Sequence, residues 1–209
     1  LGQHNPLSQQ AISDVEARLS GTFDRFELSL LSGEVEASAG TLTVGSPDAG
    51  LTTAYSDLVA EIDYSADDQI VMIHNLSANL PDGQAISFAG RLTHVHSAQI
   101  GYSGTMLGED IALPGLLQVW PDQQAADLRA LVSQNMAGGR FKTVAVEFEG
   151  MFLQQQDILN FSQLNLSGEY ANIRLSYRDE QYETVVGTLN GSVDVTVGPD
   201  GQVQSASTI

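Results

Sequence analysis

The sequence predicts a mainly β protein: an elongated, curled antiparallel sheet, shaped like a half-pipe or taco, with one short α-helix inserted near the middle. Apolar and polar residues alternate in the sequence before and after the central segment, residues 113–140. This period of two places the apolar side chains on one face of each strand. Apolar residues at helical spacing occur almost only in residues 113–148, which also contain the only Trp.

Composition excludes several classes of protein. The 209 residues include 8 Lys and Arg against 26 Asp and Glu, a net charge of -18. Such acidity disfavours binding to nucleic acid or to anionic lipid headgroups, and a solvated surface explains it most simply. The chain has no Cys, which excludes disulfides, thiol catalysis and Cys-based metal sites. No apolar run approaches the ~18 residues of a membrane span.

Residues 1–112 are predicted to form an N-terminal antiparallel section. After a polar lead-in over residues 1–12, apolar side chains recur at every second position from Val15 onwards. We interpret the glycines within this pattern as turn or bulge residues between short strands. They are Gly21, Gly33 and Gly40.

Clear turn signals separate the later strands of this section. Residues 45–50 (GSPDAG) read as a loop, residues 66–69 as a hairpin turn, and residues 81–83 (PDG) as a turn in which Gly takes the left-handed position. Two further strands are predicted at residues 85–94 and 99–106.

The central segment, residues 113–140, contains an apolar turn or short helix and then a predicted helix. Asp122 is the expected N-cap of a helix that begins at Gln123 and ends at about Met136. Gly138 and Gly139 would provide its C-terminal exit.

The predicted helix is amphipathic, so its apolar face must cover another surface. Leu128 and Val132 lie on that face. Trp120, next to Pro121, is more simply a packing anchor than a platform for ligand stacking. We therefore expect the helix to cover one end of the sheet.

Strands resume in residues 141–209, the C-terminal antiparallel section. Apolar residues alternate from Phe141 to Phe148 and again from Gly187 to Val197. We expect the three sections to form one continuous unit of a longer protein. Because the sequence starts abruptly without Met, any anchor or export signal would lie outside it.

The sequence contains no recognisable catalytic or metal-binding motif. His94 and His96 could chelate a metal if both lay on one strand face, but a third ligand is not evident and a polar surface is the simpler interpretation. Glu147 and Glu149 alternate with apolar neighbours as outward strand positions do, which disfavours a glycosidase pair. We expect no enzymatic activity, no metal and no cofactor.

The central segment resembles part of the AsmA-like family of large Gram-negative envelope proteins. The residues that carry the resemblance are Leu113-Pro114-Gly115-Leu116-Leu117, Trp120-Pro121, Arg129, Asn135 and Gly138-Gly139-Arg140. The flanks, residues 28–44 and 188–197, resemble that family's strand–Gly–strand units.

The resemblance implies an apolar concave groove that holds phospholipid acyl chains or another hydrophobic ligand. It further implies a periplasmic location, an inner-membrane anchor elsewhere in the parent chain, and a role in phospholipid transport or outer-membrane homeostasis. The expected groove lining is Phe26, Leu28, Leu30, Ile62, Val144, Val146 and Phe148. Two alternatives remain open: a structural or adhesive β module with a closed core, and, less favoured, an acidic hydrolase.

Overall fold

The chain folds into one open antiparallel sheet with a few short helices. The structure is a computed structural model and describes residues 12–24, 27–44, 51–119, 126–154, 158–178, 183–200 and 202–208. The prediction of a mainly β, open antiparallel sheet with a short helical insertion is confirmed.

The strands and helices have the following bounds. The strands are β1 (Ile12–Asp24), β2 (Glu27–Val44), β3 (Leu51–Ser65), β4 (Ile70–Asn79), β5 (Ala85–Thr93), β6 (Gln99–Ala112), β7 (Met136–Ala137), β8 (Arg140–Leu153), β9 (Ile158–Arg178), β10 (Glu183–Val197) and β11 (Val203–Thr208). The helices are α1 (Leu113–Val119) and α2 (Ala126–Asn135), and Pro81–Gly83 forms a 3-10 turn.

The sheet is a meander in which strands that are consecutive in sequence lie side by side. Its order is β1-β2-β3-β4-β5-β6-β8-β9-β10-β11, and the two-residue β7 pairs with β9 beside this path. Helices α1 and α2 interrupt the meander between β6 and β8. Successive strands can pair directly because most connections are short, as in other antiparallel sheets.

The prediction that glycines separate short strands is wrong. Gly21 lies inside β1, and both Gly33 and Gly40 lie inside β2, so these strands are longer than expected. The glycines provide space instead of turns. A Cβ atom on Gly40 would lie 2.5 Å from the Tyr55 hydroxyl, and one on Gly33 would lie 2.6 Å from a methyl group of Leu19.

The predicted helix ends one residue early. Helix α2 stops at Asn135, and Met136 and Ala137 instead pair with β9. Gly138 and Gly139 adopt φ angles of 63° and 79°, which suits their predicted role as the exit because Gly tolerates positive φ. The predicted N-cap, Asp122, lies outside the described residues.

An apolar row crosses the whole sheet, with one residue from each strand of the meander. Each residue is the direct Cα partner of the next, so all their side chains lie on one face. We call this set the central apolar row: Ala17, Val35, Ala60, Leu76, Phe88, Met106, Val146, Leu166, Val195 and Ala206. At about 4.8 Å per strand, the row extends over roughly 40 Å.

The helices close the apolar face near the ends of β6, β8 and β9. Leu113, the first residue of α1, is 2% exposed and donates its backbone N–H to the Gly139 carbonyl oxygen (3.2 Å). Leu117 of α1 and Val132 of α2 pack against the same core. The buried members of this closed core are Ile111, Leu113, Phe141, Val144, Leu166, Tyr170, Ile173, Val195 and Val197.

Candidate functional site

A second row on the same face makes room for large aromatic rings. It runs beside the central apolar row and consists of Leu19, Gly33, Ile62, Ile73, Gly90, Gly104, Phe148, Leu164, Val197 and Val203. A Cβ atom on Gly90 would lie 2.7 Å from the Phe88 ring, and one on Gly104 would lie 2.5 Å from it. The Phe88 ring therefore lies over two glycines, where no other residue would leave it space.

Four aromatic rings from four adjacent strands form a connected cluster. The rings of Phe88 and Phe148 stack with centroids 5.7 Å apart and an interplanar angle of 5°. Phe161 meets Phe148 and Tyr102 edge-on, with centroids at 6.4 Å and 5.7 Å. Stacked and edge-to-face arrangements at these distances are the favoured geometries of aromatic pairs, so the cluster is a firm surface.

Tyr102 is held in place at the hydroxyl end of its side chain. Its hydroxyl donates to the carbonyl oxygen of Asn160 (3.0 Å), and its ring crosses Gly150, where a Cβ atom would lie 2.4 Å from the hydroxyl. Burial raises the pKa of Tyr102 to about 12, because removal from water disfavours the phenolate. The residue presents its ring, and a satisfied hydroxyl, to the apolar face.

The aromatic cluster forms part of an apolar groove of about 490 Å³. This volume lies within the range of roughly 300–1,000 Å³ typical of small-molecule sites. We call the site the apolar groove. Its lining is Phe88, Arg91, Leu92, Ile100, Tyr102, Ser103, Met106, Val146, Phe148, Phe152, Phe161 and Leu164.

The opposite face of the sheet is polar. Arg91 and Ser103 alternate along their strands with Leu92 and Tyr102 of the apolar face, so they border the groove from the polar side, where Arg91 donates through Nε to the Ser103 hydroxyl (3.2 Å). His74 Nε2 lies 2.7 Å from the Asp63 carboxylate, and hydrogen bonds from Ser32 and then from His74 lower the pKa of Asp63. The two faces therefore differ in chemistry, and among the described residues the apolar face is the one that offers a site for a hydrophobic ligand.

Two of the predicted groove residues line the groove, whereas Val144 and Ile62 do not. Val146 and Phe148 both contribute to its wall. Val144 is 4% exposed and lies within the closed core, so its assignment to an open groove is corrected. Ile62 lies in the same row as Phe148 on the apolar face, but four strands away, on β3.

The assignment of Leu30 to the groove is wrong. Leu30 pairs with Thr22 and Ser65 and is 51% exposed. It alternates with Leu31, which pairs with Tyr64 on the apolar face, so its side chain lies on the polar face. Phe26 and the side chain of Leu28 lie outside the described part of the structure.

The predicted packing of the helix is described in part. Val132 packs against the closed core, as does Leu117 of α1. Leu128 lies within α2, but its side chain, like the whole of Trp120, falls outside the described residues.

The polar candidates do not converge on a site. His94 has a φ angle of 56° and follows β5 outside any strand. The prediction that His94 and His96 share a strand face is therefore wrong. His96 Nε2 lies 2.6 Å from the Tyr64 hydroxyl. Glu147 and Glu149 are both exposed on β8, and Glu147 accepts a hydrogen bond from Asn165 (3.4 Å).

Sequence reasoning missed the aromatic cluster, although a signal for it was present. Gly90 lies two residues after Phe88, and Gly104 two residues after Tyr102. Each glycine therefore occupies a position on the same face of its strand as the aromatic residue. A glycine at an apolar-facing strand position often marks the close approach of a neighbouring group. This pattern would have placed the rings beside Phe148.

Comparisons with protein-family models, with curated proteins and with solved structures found no significant match. Within the described residues, no helix is long and apolar enough to cross a membrane. The same residues contain no group of three or more His, Cys, Asp or Glu side chains that could hold a metal ion.

Proposed function

We propose that this chain is a section of a periplasmic AsmA-like protein and that its apolar groove holds lipid acyl chains. The parent protein, anchored in the inner membrane, would contribute to phospholipid transport or outer-membrane homeostasis. The observation that carries the proposal is the apolar groove, an aromatic-walled site on a face that is apolar across every strand of the meander.

The two apolar rows support an acyl chain as the ligand. Neither row contains a charged residue, so a hydrocarbon chain on this face meets no unpaired charge. Each buried methylene contributes about 0.8 kcal/mol, and eight of them contribute roughly 6 kcal/mol before the entropic cost of binding. The headgroup would remain in solvent, since neither row offers it a charged partner.

The shape of the apolar face also suits a chain-like ligand. Helix α1 and the closed core block it towards Leu113, while Leu76 on β4 remains 37% exposed. An acyl chain therefore has a firm wall at the helical end and a continuing apolar surface towards the earlier strands. A compact ligand would use only the aromatic part.

Native mass spectrometry of gently purified protein tests the proposal. We expect a population shifted in mass by one phospholipid, and extraction followed by lipid analysis should identify diacyl species. Delipidated protein incubated with phosphatidylethanolamine vesicles should recover the shifted population. Repeated preparations without lipid, and no uptake from vesicles, would contradict the proposal.

A structural or adhesive β module is the second candidate, and the closed core favours it. Leu113 is 2% exposed and Val197 1% exposed, so part of the apolar face is already covered by the chain itself. This candidate predicts no lipid in native spectra and a partner protein bound through the loops.

A further inference from the structure

We propose that two copies of this chain pair through β1, antiparallel and with a two-fold axis at Ala17, to form one continuous sheet. Within the described residues, β1 has a strand partner on one side only, β2. Its other side presents backbone N–H and C=O groups, a ready template for another strand. The proposal is independent of whether the apolar groove binds lipid.

The exposure of β1 indicates that this edge is incomplete. Val15 is 51% exposed, and Leu19 is 66% exposed, although both belong to the apolar face, through their pairing with Ala37 and Gly33. Protected edge strands usually carry Pro, Lys or inward-pointing charges on the side that must stay unpaired. β1 carries large apolar side chains instead.

The sequence of β1 is complementary to itself in one register. When Ala17 faces Ala17 of a second copy, antiparallel pairing places Val15 opposite Leu19 on the apolar face. On the polar face the same register places Glu16 opposite Arg18, twice, once on each side of the axis. Each exposed apolar side chain and each charge thus meets a matching partner.

The charges around Arg18 make this register the favourable one. Arg18 is the only basic residue of β1 and already lies 2.7 Å from Glu16 and 3.6 Å from Glu34 of its own copy. These pairs are exposed, so Arg18 can also bridge to a Glu16 of a second copy. A register shifted by two residues would place Glu16 opposite Glu16 or Arg18 opposite Arg18, which is unfavourable.

Pairing about this axis keeps both apolar faces on the same side of the sheet. Local two-fold axes between antiparallel strands run perpendicular to the sheet plane, and closed two-fold dimers are the commonest symmetric assemblies. The central apolar row of one copy then continues into that of the other through the two Ala17 residues. The assembly doubles the width of the apolar face without burying it.

Cysteine substitution tests the register directly, because the natural chain has no Cys. Directly opposite Cα atoms in antiparallel strands are about 4.5–5.5 Å apart, within the range of about 4.4–6.8 Å that a disulfide spans. We expect Ala17→Cys to form a disulfide-linked dimer under mild oxidation. Leu19→Cys is the matched control: it is on the same face, and its symmetric Cα atoms would lie about 14 Å apart in this register.

The distribution of cross-linked products decides between this dimer and other contacts. Efficient cross-linking of Ala17→Cys, with little for Leu19→Cys, supports the proposal. Equal cross-linking of the two variants indicates random collision and overturns it. Preferential cross-linking of a mixture of Ala17→Cys and Ala206→Cys would indicate head-to-tail pairing of β1 with β11, which also overturns it.

Charge exchange provides a second test that does not depend on the cysteine variants. At an ionic strength of about 0.15 M, where charges beyond about 8 Å are screened, the wild type should sediment as a dimer. Glu16→Arg and Arg18→Glu should each be monomeric, because each places like charges across the axis. Their equimolar mixture should dimerise again, since every facing pair is then complementary; a monomeric wild type, or a mixture that remains monomeric, contradicts the proposal.

Discussion

The ring of Phe88 lies parallel to that of Phe148, 5.7 Å away, although the two residues are separated by 60 positions and by strand β6. The contact is possible because Gly104 of β6 lies between them and carries no side chain. Because Gly104 has no Cβ atom, the aromatic side chains of β5 and β8 can meet and form a common wall. The apolar groove depends on this relationship.

Substitution of Gly104 should therefore disturb the groove. In Gly104→Ala the new methyl group would lie 2.5 Å from the Phe88 ring and 2.7 Å from the Ala89 carbonyl oxygen. We expect a loss of about 1–3 kcal/mol in the free energy of unfolding, measured by urea denaturation. Gly115→Ala is the control: nothing lies within 4 Å, and we expect a gain of about 0.5–1 kcal/mol because Ala is favoured over Gly in helix α1.

Stability should fall at high pH because of Tyr102. An unfolded Tyr ionises near pH 10, whereas burial raises the pKa of Tyr102 to about 12. The contribution of the neutral hydroxyl is fully present below about pH 10 and is lost as the pH rises towards 12. We expect the difference in unfolding free energy between wild type and Tyr102→Phe to shrink or reverse over this interval; a constant difference would show that Tyr102 is not buried.

Position 110, where Asp110 has a positive φ angle, should tolerate Asn but not Val. Asp110 has a φ angle of 57° and its carboxylate pairs with Arg140. Asn adopts positive φ with little strain, whereas a β-branched residue does so at a cost of about 1–3 kcal/mol. Denaturation curves should therefore rank the wild type first, Asp110→Asn second and Asp110→Val last, and equal stability of the two variants would contradict this account of the Asp110 backbone.

Two neighbouring residues allow the faces of the sheet to be compared. Met106 lines the apolar groove, and Leu107, the next residue of β6, is 49% exposed on the polar face. Met106→Asp should weaken binding of a fluorescent fatty acid at least about tenfold, because a carboxylate buried beside the ligand costs more than the 1.4 kcal/mol that this factor represents. Leu107→Asp should bind like the wild type; equal loss in both variants would show that the probe does not occupy the groove.

Alternation in the sequence was sufficient to predict the sheet and its single apolar face, because a period of two leaves little freedom in where side chains point. It failed at Leu30 because Leu30 and Leu31 are both apolar, and only pairing with β3 shows which of them faces the groove. The glycines were misread for a related reason. Gly33 and Gly40 look like turn residues in one dimension, and their role becomes evident only when a neighbouring strand places a side chain over them.

Register also explains why the groove itself was only partly predicted. Val146 and Phe148 were found from alternation within β8, but Phe88 and Tyr102 join them through pairing with β5 and β6. Val144, two residues before Val146, lies in the closed core instead, because the chain returns through Leu113 to cover it. Burial of a strand residue by residues distant in the sequence leaves no signal in the local sequence pattern.

Photocrosslinking from Phe148 tests the central claim most directly. A photoactivatable phenylalanine analogue is placed at position 148, and the protein is mixed with phosphatidylethanolamine vesicles and irradiated. The mass of the intact product is then determined. We predict an adduct of one phospholipid at Phe148 and none when the analogue replaces Leu107 on the polar face. Adducts at both positions, or at neither, would contradict an acyl chain in the apolar groove.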